Sequence, residues 1–431
     1  MSAPRIVVAG ATTALSRRTT LRKAFLGAWH PLVRDCWLYS LADAQRHTRV
    51  AVHHSVLVVS HHHTTVTPLH DNLPEFLRRF HRDLSCALHA LLCRERYDAP
   101  RELFDDRQTH AMRLMDGSAQ ARHLVYERLN PVAAGLVDRP ERMPLRGLDF
   151  GLWKAGHIEV ERPPVYFDAG RPERLRLELT PPPLLYRDHG GDLDALVYSL
   201  ERAVEDGVRS HRARRSRPVL GARCMRRLHP WSEPRTVRES RQERVPTFRV
   251  GVGGAEGRRL RVAGAREVRG FRARHREAFR ERRRPSRSSN ATFPFGTYAA
   301  RVFQGAPTDE EPDEGAWVAR AGPALDDIRV ELVSSSSARS PALTLDTLAR
   351  SLVEDIEHAG EPEELWHIEE HDQVGSSSAG DDGERPPAVV IHRFATHRAG
   401  QSRRQVVLRD RRRGRPAGRA RRKTGSSDPP E

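Results

Sequence analysis

The amino-acid sequence of 431 residues predicts an α+β fold, in which an antiparallel sheet is backed by helices, followed by a basic, partly disordered C-terminal extension. Short strand-like segments alternate with amphipathic helical patterns over residues 1–155. Two of the predicted strands are close enough in sequence to pair directly. Beyond residue 159 the composition changes to Pro-rich joints and arginine. We therefore expect one α+β domain in residues 1–155.

The predicted elements of this domain are as follows, in chain order. Apolar residues 5–8 predict a short first strand, and residues 31–44 have the periodicity of a helix. Residues 50–67 predict two strands that meet near residues 53–54. With a further short strand at residues 110–114, this order is similar to that of the ferredoxin-like group.

The strongest helical pattern follows the two strands predicted at residues 50–67. Asp71 is its predicted N-cap, and Pro74 lies in its first turn. One face of the pattern is apolar and the other carries Arg78, Arg79 and Arg82. An apolar stripe of this width is buried in folded proteins, and it consists of Leu73, Phe76, Leu77, Phe80, Leu84, Leu88 and Leu91.

Residues 156–306 are predicted to form a basic accessory region. They include one clear helical pattern, at residues 192–209, and a strand-like segment at residues 292–303. Between residues 200 and 290 there are 27 arginines against 10 acidic residues, which indicates a second nucleic-acid surface.

Residues 307–431 are predicted to be largely disordered, because they consist mostly of Ser, Pro, Gly and charged residues. A short helix is expected near residues 343–358. The segment RDRRRGRPAGRARRK, at residues 409–423, is a basic tail that we expect to bind nucleic acid without sequence preference.

The net charge of +16 is carried almost wholly by arginine, since only three of the basic residues are lysines. Guanidinium groups pair with phosphate, so the charge indicates a polyanionic partner, most simply nucleic acid; a codon bias is the alternative explanation of the Arg excess. No apolar run approaches the ~20 residues of a membrane span, and the four cysteines form no CxxC motif. We therefore expect a cytoplasmic protein without a membrane partner.

Three consecutive histidines lie in the strand-like stretch VLVVSHHHTTV, at residues 56–66. Side chains alternate along a strand, so His61 and His63 are predicted to share one face, with His62 on the other. Two imidazoles on one face can bind one divalent ion. The alternative is a purely structural or exposed pair.

A second cluster lies in HLVYERLNPVAAGLV, at residues 123–137. Helical periodicity places Ala121, Leu124, Val125 and Leu129 on a core stripe and Tyr126 and Asn130 on the opposite side. A tyrosine one turn from a carboxamide can present a nucleophile together with a metal ligand. The alternative is a half-buried tyrosine with a helix-ending asparagine before Pro131.

Within residues 1–155 the sequence resembles the REP-associated tyrosine transposases, which belong to the HUH single-strand DNA transposases. The resemblance is carried by PRIVVAGATTALSRR, SVLVVSHHHTTVTP, DNLPEFLRRFHRDLS and YERLNPVAAGLVDRPERMP. It implies an HUH nuclease fold, cleavage and rejoining of single-stranded or hairpin DNA through a 5′-phosphotyrosine intermediate, a divalent metal (Mg²⁺ or Mn²⁺) as cofactor, and pairing as homodimers.

The resemblance also implies roles for individual residues. Tyr126 is expected to be the nucleophile, and the metal ligands are expected to be His61, His63 and Asn130. The residues expected to contact DNA phosphate are Arg17, Arg18 and Arg107.

At four positions the sequence departs from the family pattern, namely Ser60 in place of asparagine, His62 in place of an apolar residue, and Thr64 and Thr65 in place of the usual aliphatic pair. A histidine packed under helices must find a hydrogen-bond partner or cost about 1–3 kcal/mol, so His62 is expected to have one. A register slip of one residue would put His62 and Thr64 in the place of His61 and His63 and so destroy the metal pair.

Two alternative functions remain open. One is a phosphoesterase, which would need two His-x-Thr motifs; the sequence has one, His63-Thr64-Thr65, and we find no second. A catalytically inactive hairpin DNA- or RNA-binding protein on the same fold would account equally well for the basic regions.

Overall fold

The structure is a computed structural model, and it describes residues 4–234, 236–237, 246–283, 291–310 and 364–365. Its strands are β1 (Thr13–Arg18), β2 (Val50–Val58), β3 (His61–Pro68), β4 (His110–Leu114), β5 (His157–Glu161), β6 (Arg174–Glu178), β7 (Thr236–Val237), β8 (Phe248–Arg249) and β9 (Glu364–Leu365). Its α-helices are α1 (Leu32–Thr48), α2 (Leu73–Arg94), α3 (Gly117–Ala133), α4 (Leu152–Ala155), α5 (Pro183–Asp188), α6 (Leu193–Arg214), α7 (Ala222–Arg226), α8 (Gly254–Arg282) and α9 (Tyr298–Gln304).

The largest sheet has the strand order β2-β3-β1-β4-β8. The strands β1 to β4 pair antiparallel, and they alternate with helices as β1-α1-β2-β3-α2-β4. This order and chain path are those of a ferredoxin-like sheet, so the predicted α+β class is confirmed. Strand β8 extends the sheet by pairing parallel to β4.

Helices cover both faces of the sheet. On one face α3 packs against β2, β3 and β4, with α5 and α6 packed on α3; α1 and α2 pack on each other. The register of β1 with β3 pairs Arg17 with His62, and both side chains lie on the α2 side, where His62 contacts Phe80 and Phe104. The core between these layers therefore contains polar groups as well as the predicted apolar stripes.

The amphipathic helix predicted after the two strands at residues 50–67 is confirmed as α2. Apart from Leu77, which is half-buried, its predicted stripe residues are buried. The predicted cap was wrong, because Asn72 occupies the N-cap position and Asp71 instead pairs with Arg301. Pro74 lies in the first turn as predicted.

The predicted first strand, at residues 5–8, was wrong. These residues are outside the sheet, where Val7 hydrogen-bonds to the backbone of Gly296 at 3.0 Å and Val8 packs near Phe295. Strand β1 comes later and contains fewer apolar residues. An apolar run is buried in both situations, so hydrophobicity alone does not distinguish a strand from a packed loop.

The predicted junction of two strands near residues 53–54 was also wrong. Strand β2 continues through this point to Val58, and the turn lies at Val59–Ser60. A register shift between Val52 and His54 marks a β-bulge instead, and a bulge leaves one residue without a cross-strand partner.

Residues beyond 155 contribute to the same core. The helix predicted at residues 192–209 is present as α6, whereas α8 was not predicted. The strand predicted at residues 292–303 was wrong, because its first half contains only an isolated bridge at Phe293 and α9 begins at Tyr298. The predicted helix near residues 343–358 and the tail at residues 409–423 lie outside the described residues. The division of the chain at residues 155 and 306 stays a prediction.

No helix in the part of the chain that the structure describes is long and apolar enough to cross a membrane.

Candidate active site

The first three residues of β3 supply the two imidazoles. Because the hairpin turns at Val59–Ser60, His61 and His63 face the same side of the sheet, and their ring centres lie 4.9 Å apart. Ser60 Oγ lies 3.3 Å from His61 Nδ1. The slip of register that would turn both to the other face of the sheet is absent: Val58 pairs with His61 and Val56 with His63.

Helix α3 supplies the phenol and the amide. Asp116 caps the helix by accepting hydrogen bonds from the backbone N–H of Ala119 and of Gly251, both at 2.8 Å. The predicted core stripe of α3 is buried, which leaves Tyr126 and Asn130 on the other side of the helix. The start of α3 therefore fixes where both side chains lie above β3.

The four predicted residues meet at one point. Asn130 Nδ2 lies 3.2 Å from His63 Nε2 and donates to Tyr126 Oη at 3.3 Å. The Tyr126 ring stands edge-on to His63 with 5.5 Å between ring centres, and Tyr126 is 36% exposed. A substrate can thus reach the phenol from solvent, whereas His61 and His63 are buried beneath it.

Burial determines the charge of the groups at this point. Burial, followed by the neighbouring His61, holds the pKa of His63 well below its usual value, so His63 is neutral and has a lone pair available. Tyr126 reaches solvent on one side, but the protein packed around the phenol raises its pKa, while Arg18 acts in the opposite direction. The phenol therefore keeps its proton at neutral pH unless further positive charge is added beside it.

A buried polar network connects α3 to β2 and β3. Glu127, which is fully buried, accepts hydrogen bonds from His54 Nδ1 at 2.8 Å and Thr65 Oγ1 at 2.9 Å. His123 Nε2 lies 3.2 Å from Glu127 Oε1. Burial acts to raise the pKa of Glu127, but the contacts with His123 and His54 outweigh burial and lower it. Glu127 is thus an anion that ties the helix carrying Tyr126 to the sheet.

The partner expected for His62 is present. His62 Nε2 lies 3.0 Å from His81 Nε2 of α2, and its Nδ1 lies 3.1 Å from Thr64 Oγ1. Burial lowers the pKa of His62 to about 3, so the pair is neutral. One ring can then donate to the other, and the polar replacement is accommodated without an unsatisfied group.

The three predicted DNA-contacting arginines lie in different surroundings. Arg18 pairs with His61 across the strands and lowers the pKa of Tyr126, so it is close to the phenol. Arg17 points to the opposite face, where Nη1 lies 3.3 Å from His81 Nδ1 and the guanidinium lies over Phe104. Arg107 is exposed in the loop before β4. The role of each in DNA binding stays a prediction.

The sequence did not point to Arg249, Glu127, His54 and His123 as parts of this site. Arg249 belongs to β8, which pairs with Leu114 of β4, and it also acts to lower the pKa of Tyr126. A two-residue strand more than 120 positions from Tyr126 leaves no periodic signal. Glu127 directly follows Tyr126 in the quoted motif. A carboxylate at a helix position that faces the sheet was the signal by which the sequence could have identified it.

The residues present fit a divalent metal. The two imidazoles supply nitrogen ligands, and rotation of the Asn130 amide would exchange its nitrogen for an oxygen opposite His63 Nε2. Throughout the described residues there is no group of three or more His, Cys, Asp or Glu side chains arranged to hold a metal. A metal here would accordingly depend on the two histidines and the amide.

No protein family model matches the chain, and no curated protein matches it. One solved structure similar to this chain is that of a REP-associated tyrosine transposase bound to a REP hairpin. It is 15% identical, the match covers 32% of this chain and 76% of that one, and the TM-score is 0.26. A TM-score of this size carries no argument about function, so the function has to be inferred from the site itself.

Proposed function

We propose that this chain cleaves and rejoins single-stranded or hairpin DNA, with Tyr126 as the nucleophile. The observation that supports this most directly is the convergence of Tyr126, Asn130 and His63, in which the amide of Asn130 lies within 3.3 Å of both of its neighbours and His61 is beside them. His61, His63 and Asn130 would hold Mg²⁺ or Mn²⁺. The ion would supply positive charge that polarises the phosphodiester and favours the phenolate.

The proposed step conserves the energy of the phosphodiester bond. Tyr126 Oη loses its proton to solvent and attacks phosphorus, forming the tyrosine–phosphate bond as the bond to the 3′ oxygen breaks. The 3′ oxygen leaves and takes up a proton as a hydroxyl. Attack of a 3′ hydroxyl on the phosphotyrosine reverses the step and rejoins DNA, so no ATP is needed.

Two arginines are suited to bind the phosphate. Arg18 of β1 and Arg249 of β8 both act to lower the pKa of Tyr126, so their positive charges lie near the phenol. Guanidinium groups form forked hydrogen bonds with phosphate oxygens. We propose that Arg18 and Arg249 stabilise the charge that develops on the attacked phosphate.

The proposal is tested by trapping the covalent intermediate. The full-length chain is incubated with 5′-labelled and 3′-labelled hairpin DNA and Mn²⁺, and protein–DNA adducts are separated on a denaturing gel. Because the tyrosine is joined to the 5′ phosphate of the downstream fragment, the adduct should carry the 3′ label and not the 5′ label. It should be absent in Tyr126→Phe. Tyr198→Phe, at an exposed tyrosine of α6, is the matched control and should keep full adduct formation.

A second measurement tests the metal ligands without relying on activity. Titration calorimetry with Mn²⁺ should show one site in the wild type and in Tyr126→Phe, and at least about tenfold weaker binding in His61→Ala and His63→Ala. Hairpin binding without any adduct in the wild type would instead support a hairpin-binding protein that does not cut. Homodimer formation and a cytoplasmic location stay predictions.

A further inference from the structure

Helix α8 is attached to the rest of the protein along a narrow seam. Its buried residues recur every seven positions, namely Gly257, Gly264, Phe271 and Ala278. A side chain at Gly264 would crowd Phe248 and Met115, so the helix backbone lies close to the body there. Half-buried residues such as Leu260, Val268 and Phe279 flank this seam, and about half of the residues of this 29-residue helix are exposed.

A buried ion pair fixes α8 in this position. Arg113 of β4 forms a two-fold contact with Glu267 of α8, with nitrogen–oxygen distances of 3.0 and 2.5 Å. Both side chains are almost completely buried. Alternation along β4 places Arg113 on the sheet face opposite Met112 and Leu114, which pack with Ala119 of α3. Helix α8 therefore lies on the other side of the sheet from Tyr126.

The side of α8 opposite the seam is a row of arginines. At 3.6 residues per turn, the exposed residues on this side include Arg258 and Val262 and the five arginines here named the α8 arginine face: Arg259, Arg266, Arg269, Arg276 and Arg280. In the described residues none of the five forms an ion pair with a carboxylate, and Glu277 lies at the edge of the face. The first and last of the five are about 32 Å apart along the helix axis at 1.5 Å per residue.

We propose that the α8 arginine face binds the phosphate backbone of duplex DNA, without sequence preference. The whole helix has 10 arginines and 4 glutamates, and one of those glutamates is used internally by Arg113. Five cations held on a rigid rod suit a partner with regularly repeated negative charge, and duplex DNA presents one every ~1.7 Å of its axis. Because these five arginines have no carboxylate partners among the described residues, their charge is available to such a polyanion.

This inference goes beyond the proposed function, because it assigns DNA binding to a surface separate from the cleavage site. It predicts that uncut duplex DNA binds the protein without Tyr126 chemistry. Duplex regions flanking a cleavage site would then be held from the opposite side of the sheet. A Tyr126→Phe variant should bind duplex DNA as tightly as the wild type.

The test measures how duplex binding depends on salt. A fluorescent 20-base-pair duplex of arbitrary sequence is titrated with the full-length chain at several NaCl concentrations. Changing all five residues of the α8 arginine face to glutamine should weaken binding at least about tenfold at 0.1 M salt. The slope of log affinity against log salt should fall by about 4.5, at ~0.9 for each phosphate that is no longer neutralised. Changing the same five residues to lysine should preserve most of the slope.

The matched control removes the same charge elsewhere on the surface. Five exposed arginines away from α8 are changed to glutamine together: Arg142, Arg174, Arg176, Arg202 and Arg209. Both variants keep the basic tail, so its contribution cancels, and thermal melting verifies that both fold. Slopes for the two glutamine variants that differ by less than ~1 would overturn the proposal. The proposal would also be overturned if the glutamine variant of the α8 arginine face bound polyglutamate more weakly than the wild type but bound duplex DNA equally well. That result would indicate an acidic protein partner.

Discussion

Replacing Glu127 by glutamine tests whether the buried anion holds the candidate site together. Glu127 accepts from His54 and Thr65 and lies beside His123, so all of its neighbours present donors to it. Glutamine has the same shape but replaces one acceptor oxygen by an NH₂ group. That group would face His54 or Thr65, so one charge-assisted hydrogen bond would be lost or replaced by a weaker neutral one.

The magnitude follows from the hydrogen bonds that glutamine cannot form. Hydrogen bonds to a charged group contribute about 1.5–3 kcal/mol each, and a buried donor left unsatisfied costs about 1–3 kcal/mol. Glutamine can keep one good hydrogen bond, so we expect Glu127→Gln to lower the free energy of unfolding by about 2–3 kcal/mol. Alanine at the same position leaves His54 and Thr65 without their acceptor and should cost about 3–5 kcal/mol.

Urea unfolding followed by circular dichroism measures this change, provided that the dependence on urea concentration stays the same. Glu141→Gln is the matched control, because Glu141 also accepts a hydrogen bond from a buried partner, Arg128, but is itself half exposed. The control should change stability by less than about 1 kcal/mol. If Glu127→Gln changes stability by no more than the control does, the carboxylate does not hold α3 on the sheet.

Two further changes probe the core around the site. Burial lowers the pKa of His53 from 6.5 to about 4, so the folded state resists protonation; stability is complete above pH 6.5 and falls by up to about 3 kcal/mol toward pH 4. In thermal melts across this pH range, His53→Gln should lose about 3 kcal/mol less stability than the wild type. If the stability of the variant fell with pH in parallel with that of the wild type, His53 would not be the group responsible. Gly207→Ala on α6 should cost about 1–3 kcal/mol in urea unfolding, because the added methyl group meets the Leu129 side chain of α3. Gly270→Ala, whose methyl group would meet nothing, should instead be neutral or slightly stabilising; equal costs at the two glycines would refute this packing argument.

The sequence predicts those parts of the fold in which a single periodicity operates over many residues. Helix α2 repeats one apolar stripe over 22 residues, and its buried side chains match the prediction apart from Leu77. The same holds for α3, whose core stripe left Tyr126 and Asn130 on the accessible side. The alternation of β3 then suffices to place His61 and His63 together, because a strand allows only two faces.

The parts that escaped prediction depend on contacts between distant segments. His53 occupies a β-bulge, and its ring bridges Thr180 and Thr67, neither of which is near it in sequence. Strand β8 is two residues long and exists because β4 offers it a free edge. Helix α8 buries four residues in 29, too few for an apolar stripe to stand out among its arginines.

The pairing of β8 with β4 also affects which parts of the chain can be separated. A protein cut after residue 155 would present β4 as a bare edge, with backbone groups open to any passing strand. It would also lose the amide of Gly251 from the Asp116 cap, and with it one support of the helix that carries Tyr126. Aggregation of such a fragment would therefore come from the uncovered strand together with the core side chains that residues beyond 155, such as those of α6, normally cover.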